Sequence, residues 1–299
     1  MAELDAFITN IEDSRRWSHI KTRPGDIVIS TPPKSGTTWM QEIVHSLLWP
    51  DLDAPGSRGE IARWVDMRLR PIEEVVEHFA DQDHRRSIKT HSPATCTPFE
   101  PHCAYIVVYR DGRDALLSWG NHRRHMRADV LAQMNDLAAA DGLAPLDLRF
   151  EGDYDKLYDE WLWICSPIEH LRSWWPRRGL ANVLFVHYAD LTADLIGEMQ
   201  RVADFLDLPV TDEQWPALAD ACTLDSMRAN AVGSDRVFDG GAASFYYKGG
   251  SGRWRGVLPE HILDDYHRRV AAELPDDAAR WLEHGSRELG RRPERIDQP

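Results

Sequence analysis

The 299-residue sequence is poor in cysteine, with only Cys96, Cys103, Cys165 and Cys222, and it has no CxxC pair and no Cys/His cluster at zinc-ligand spacing. A disulfide framework and a structural zinc site are therefore not expected. Long apolar runs are missing too. Ala104 to Tyr109 falls far short of the roughly 20 residues that span a bilayer, so integral membrane association is not expected. The first ten residues contain acids and lack a basic stretch leading into an apolar core, so no secretory signal is read and a cytoplasmic location is expected. Positive charge is in deficit, with Lys+Arg 35 against Asp+Glu 49 and a formal net charge of -14. That balance argues against nucleic acid as a partner, because affinity for a phosphate backbone is mostly cationic. Any anion this chain binds must sit at a local basic site. No internal repeat, low-complexity tract or heptad run is present.

The hydrophobic fraction of 42% and charged fraction of 28% suit a chain with a substantial core, read here as a single domain over 1–299. Three segments read as buried strands: Asp26 to Ser30, Ala104 to Tyr109 and Asn182 to Val186. Each is followed by loop residues and a helical stretch: Thr38 to Leu48, Asp114 to His122, and about Asp194 to Leu206. The alternation predicts an α/β fold, three-layered and P-loop-like, with a central parallel sheet flanked by helices. Ligands of such sheets sit at the carboxyl ends of the strands. Met126 to Asp155 reads as an insertion of helix and loop over the sheet, and Thr223 to Ser251 as a long functional loop. Pro259, with Leu263, Tyr266, Val270, Ala271 and Leu274 on one face, predicts a closing helix. The Trp161/Trp163 and Trp174/Trp175 pairs read as core.

The most informative segment is Thr31-Pro32-Pro33-Lys34-Ser35-Gly36-Thr37-Thr38-Trp39, between the first strand and its helix. Backbone amides and hydroxyls at a helix N-terminus make an anion site, and Gly36 permits close approach of the backbone. The segment is not a Walker A loop, which would need Gly where Thr31 stands and Lys where Thr37 stands. The cation has moved upstream to Lys34, so a nucleoside triphosphate with magnesium is not the obvious ligand.

Pro-Lys-Ser-Gly-Thr-Thr-Trp resembles the 5′-phosphosulfate loop of the cytosolic sulfotransferases, and four further pieces follow in the family's order. Arg110 and Ser118, in Val107 to Ser118, match its 3′-phosphate motif. Lys89-Thr90-His91 matches the Lys-Thr-His that carries its base. Tyr188 matches a tyrosine near the adenine, and Lys248-Gly249-x-x-Gly252-x-Trp254 is similar to the late loop over the 3′-phosphate. The resemblance implies 3′-phosphoadenosine 5′-phosphosulfate (PAPS) as sulfonate donor, without a metal. It implies His91 as general base, Lys34 and Lys89 as stabilising cations, and a donor site of Lys34, Ser35, Gly36, Thr37, Thr38, Trp39, Arg110, Ser118, Tyr188, Lys248 and Gly249, with Trp39 stacked on adenine. Two departures stand out: Tyr247 where the family usually has Arg, and Arg253 where an acid is common. The family's dimer segment is not matched by Arg255 to Glu260, so no oligomeric state is carried over.

The residues fit that chemistry in their own right, because in-line sulfonate transfer needs a base at the acceptor and cations at the leaving oxygen. The expected acceptor is a hydroxyl, or an amine, of a small or lipid-like molecule. Its identity depends on about Trp49 to Phe79 and Met126 to Tyr158, which carry no decodable motif. A kinase-like P-loop phosphotransferase and a non-catalytic nucleotide-binding module are the alternatives. His45, His84, His122, His125 and His187 read as structural or exposed, and Arg123-Arg124-His125 as a solvated face.

Overall fold

Four short runs, three of them rich in Val and Ile, pair in parallel to form the sheet seen among the described residues: Ile27–Ser30 (β1), Ser87–Thr90 (β2), Ala104–Tyr109 (β3) and Val183–His187 (β4), in the order β2-β1-β3-β4. The computed structural model describes residues 4–147, 150–164 and 166–293; Leu148 and Arg149 of the expected insertion, and Cys165, lie outside the described residues. β2 was not among the expected strands. Its four residues, Ser-Ile-Lys-Thr, are too short and too polar to stand out from a loop.

Side chains alternate across the sheet and feed two cores. Tyr105, Val107, Tyr109 and Phe185 face a large cluster with Trp161, Trp174, Trp175 and Trp281, whereas Ile27, Ile29, Ile106, Val108 and Val186 face Met40, Ile43 and Val44 of helix Thr37–Leu48 and Met199 and Val202 of helix Leu195–Leu206. The expected three layers follow from this two-sided burial. Of the two tryptophan pairs one member departs, because Trp163 is 56% exposed while its partner Trp161 is buried.

Beyond β2 the edge is extended by isolated bridges. Trp64 pairs in parallel with Lys89, and Glu12 pairs antiparallel with Met67. The insertion supplies helix Ala128–Ala139, whose Leu131 and Met134 enter the large core. Thr223 to Ser251 is not one irregular loop, for it folds into helices Leu224–Ala229 and Gly241–Phe245 with a turn of 3-10 helix between them. Helix Glu260–Glu273 starts at Pro259 as expected, but Ile262 and Tyr266 form its buried face and Ala271 is exposed. It does not close the fold either. Helix Asp276–Leu289 follows and buries Trp281 and Leu282.

Candidate active site

The strand register sets up the site. Ser30 lies opposite Thr90, and Tyr109 opposite His187, so the next residues, Thr31, His91, Arg110 and Tyr188, all emerge at the carboxyl edge of one sheet. Four segments far apart in the chain are thereby brought together at one end of the strand ladder.

The turn after β1 reverses sharply through two positive-φ residues, Lys34 (φ 67) and Gly36 (φ 109). At Gly36 a side chain is doubly barred, since a Cβ would also lie 3.2 Å from the Tyr188 ring. Gly36 begins helix Thr37–Leu48, and no side chain among the described residues caps that end. Its first-turn amides are therefore aimed at an anion rather than at a side-chain acceptor. Ser35 Oγ and Trp39 Nε1 are buried without a hydrogen-bond partner among the described residues, and the Trp39 ring meets Tyr188 edge-on at 5.2 Å.

After β2 the segment Lys89 to Ser92 is held by Asp66, which is fully buried and accepts hydrogen bonds from Thr90 Oγ1 and, at 2.6 Å, from Ser92 Oγ. Lys89 Nζ lies 3.8 Å above the Trp64 ring. Burial pushes this ammonium down to about 7, against the weaker opposing pull of Glu12 and Asp66. The buried His91 ring has Nδ1 2.6 Å from the Thr31 carbonyl oxygen. A carbonyl only accepts, so Nδ1 carries the proton and Nε2 presents its lone pair. Burial, followed by the charge of Lys89, holds His91 well below the usual histidine range, which keeps that lone pair free at neutral pH.

After β3, Arg110 is 4% exposed and crosses the Tyr188 ring at 4.4 Å. Its Nη2 donates to the Gly250 carbonyl at 2.6 Å, and its Nε has no partner among the described residues. Burial disfavours the guanidinium charge, the condition under which a bound anion gains most from pairing with it. Helix Gly112–His125 follows and carries Ser118 and His122 one turn apart, on one face. His122 departs from the expectation of a structural or exposed residue, because its Nδ1 lies 3.2 Å from Lys34 Nζ and its ring stacks on Trp119 at 5.0 Å. The i, i+4 spacing from Ser118 is the signal that could have found it. Arg123 is not on a solvated face, being 1% exposed and paired with Glu160 at 2.6 Å.

The late loop is anchored from the same helix. Asp114 accepts from the amides of Gly252, Arg253 and Trp254 at 2.6, 2.8 and 3.3 Å, and Trp254 Nε1 donates to Asp111 at 3.1 Å. Lys248 lies 5.0 Å from the Tyr247 ring, and Tyr247 itself is 46% exposed.

These parts open into one cavity of about 470 Å³. Lys34, Gly36, Thr37, Thr38, Trp39, Lys89, His91, Arg110, Ser118, Tyr188, Lys248 and Gly249 all line it, while Ser35 stands behind the wall, fully buried. Of the segments expected to shape an acceptor pocket, Trp64, Met67, Met126 and Met134 contribute. Ile11 and Glu12 line the cavity from a segment not singled out in the sequence, and Phe238 and Phe245 line it from the stretch Thr223 to Ser251, which was read as a functional loop.

Residues 24–277 match the family described as Sulfotransferase domain. A glycolipid sulfotransferase of Mycobacterium bovis (strain BCG / Pasteur 1173P2) is 32% identical over 303 residues, covering 92% of this chain and 93% of that protein. Sulfotransferase 1B1 of Canis lupus familiaris is 26% identical over 265 residues, covering 81% and 82%. The fold is shared with a mouse sulfotransferase solved in complex with PAP, the 3′-phosphoadenosine 5′-phosphate nucleotide (TM-score 0.68, 19% identity, 92% of each chain). It is shared also with retinol dehydratase solved with androsterone and PAP (TM-score 0.69, 20% identity, 89% and 87%).

Proposed function

Because the chain belongs to the sulfotransferase family, we propose that its cavity binds PAPS and passes the sulfonate to a hydroxyl of a small or lipid-like acceptor. The observation that carries the reading is the convergence of Lys34, His91 and Arg110, from three strand ends, on a single cavity. The name of the mycobacterial relative, a glycolipid sulfotransferase, supports an acceptor with a lipid-like body, and so does a wall built of Ile11, Trp64, Met67, Met126, Met134 and Phe238.

The residues present suit the donor. The uncapped turn at Gly36, with the orphaned Trp39 Nε1 close by, fits a 5′-phosphate group, and the unpartnered Nε of buried Arg110, with Ser118, fits the 3′-phosphate. Lys248 and the Gly249 amide close the same end, and Trp39 and Tyr188 offer aromatic faces for adenine. His91 Nε2 takes the proton of the acceptor hydroxyl as its oxygen attacks sulfur, and the S–O bond to the nucleotide phosphate breaks as the new one forms. Lys34 and Lys89 stabilise the charge that develops on the sulfonate and the leaving oxygen. His122 receives Lys34 between encounters, an assignment made on the 3.2 Å contact. PAPS supplies the activated sulfonate when bound; positioning and electrostatics are the protein's share.

Turnover of a panel of phenols and alcohols with labelled PAPS tests the activity. Calorimetry with PAP, against ATP plus magnesium, tests the donor site. Tight binding of PAP and turnover of at least one hydroxyl acceptor are expected. Preference for ATP with magnesium would point instead to phosphoryl transfer, and PAP binding without any turnover to a binding module.

A further inference from the structure

The N-terminal segment delivers to the cavity a group that the reaction above does not use. Glu12 is 0% exposed and lines the cavity, yet among the described residues neither of its carboxyl oxygens has a hydrogen-bond partner. Its backbone is fixed, with its amide donating to Thr9 Oγ1 at 3.2 Å and its bridge to Met67 lying beside the bridge from Trp64 to Lys89. These bridges continue the sheet beyond β2. Glu12 therefore enters the cavity from the edge that carries Lys89 and His91, whereas Arg110 and Tyr188 follow β3 and β4 on the opposite side of β1. Of its neighbours in the wall, Ile11 and Met67 have no group that could satisfy a carboxyl, and Trp64 Nε1 makes no hydrogen bond to it. A buried polar group left unpaired is costly and rare, and one aimed into a binding cavity is explained by a ligand that pairs with it.

We propose that Glu12 is a specificity-determining residue that holds a second hydroxyl of the acceptor, so that the acceptor class is an apolar molecule with one alcohol or phenol that reacts and another that anchors. This assignment rests on the sulfotransferase reading of the cavity. A hydroxyl suits the site better than an ammonium. Burial, and then the neighbouring Asp66, push Glu12 well above the ordinary carboxyl range toward its neutral acid, while Lys89 pulls the other way more weakly. A neutral carboxyl can donate to a hydroxyl and accept from it, but cannot neutralise a cation. Lys34 and, when protonated, Lys89 already bring positive charge to the same cavity.

The test compares three matched series of graded chain length: 4-alkylphenols, 4-(ω-hydroxyalkyl)phenols and 4-(ω-aminoalkyl)phenols. Acceptor kcat/KM is measured for the native enzyme, Glu12→Gln and Glu12→Leu, and PAP affinity by calorimetry reports that each variant keeps its nucleotide site. At the chain length that reaches Glu12, the hydroxyalkyl compound should exceed its alkyl counterpart by about tenfold or more, the effect of one buried hydrogen bond left unmade. Glu12→Gln should keep part of that ratio and Glu12→Leu should abolish it, chiefly through KM. The proposal is overturned if no chain length shows the preference, if the preference survives in Glu12→Leu, or if the aminoalkyl series is preferred. It is overturned also if both variants lose PAP binding, which marks Glu12 as structural. Should no phenol be turned over, the reaction assignment fails by itself, and calorimetric binding of the same series to PAP-loaded enzyme decides the role of Glu12 by the same ratios.

Discussion

Lys89 gives the site a proton linkage whose size can be worked out. Burial lowers its ammonium to about 7, so at pH 8 about nine-tenths of the free protein carries it neutral. An anionic phosphate or sulfonate beside it favours the charged form and draws a proton back on. The sign follows: affinity is full below pH 7 and is lost as pH rises through 7, by up to about tenfold per pH unit until the bound-state value is passed. Calorimetry of PAP binding in buffers of different ionisation enthalpy reads the uptake directly. About 0.9 of a proton per site is expected at pH 8, where the nucleotide's phosphates are already dianionic, and the share taken up by Lys89 falls to about 0.1 at pH 6. Lys89→Met should remove the pH 8 uptake, whereas His91→Ala should leave most of it, because His91 lies well below the usual histidine range and is neutral at that pH. Uptake near zero at pH 8 in the native protein, or uptake unchanged in Lys89→Met, would refute the reasoning.

Three further outcomes follow from the geometry. His91→Ala should cut turnover by roughly 10²-fold or more, the range for loss of general-base help, with PAP affinity nearly unchanged; near-native turnover would remove His91 from the reaction. Arg110→Ala should weaken PAP by about tenfold to a hundredfold, the worth of a charge-assisted hydrogen bond, and hardly alter the weaker binding of adenosine 5′-phosphate. Equal losses for both nucleotides would place Arg110 away from the 3′-phosphate. Since Asp114 anchors the amides of Gly252 to Trp254, Asp114→Ala should speed proteolytic cleavage after Lys248, and saturating PAP should slow it in both proteins. Cleavage indifferent to Asp114 and to PAP alike would show that this loop does not close on the nucleotide.

What was legible in the sequence was whatever lies in one short stretch. The turn Thr31 to Trp39 and the pair Arg110 and Ser118 each join a strand to its helix within a dozen residues, so pattern and spacing suffice to find them. The walls of the cavity were not legible, because they are assembled by pairing across long separations. Glu12 meets Met67, Trp64 meets Lys89, and Met126 meets Phe238, contacts for which one sequence holds no local signal. Arg123 was misread for a related reason: its partner Glu160 sits on a different helix, so the charge run 123–125 looks solvated until the two helices pack. β2 escaped because it is short and polar, and it is defined by its neighbour in the sheet more than by its own residues.

The alignment of Thr31, His91, Arg110 and Tyr188 along one sheet edge divides the molecule into a part that cannot drift and a part that can. A slip of one residue in any strand would turn its side chains to the opposite face and carry its site residue out of line, so the placement of these four residues is inherited from ladder hydrogen bonds that tolerate no partial change. The acceptor walls come from elsewhere: the N-terminal segment, the stretch around Trp64 and Met67, helix Ala128–Ala139 and the chain after Met227. Substitutions there reshape what the cavity admits without touching the register. A chain built this way can change its clientele while keeping its chemistry, provided the exchanges are confined to cavity-facing side chains and spare Asp66, the Trp64–Lys89 bridge and core residues such as Leu131.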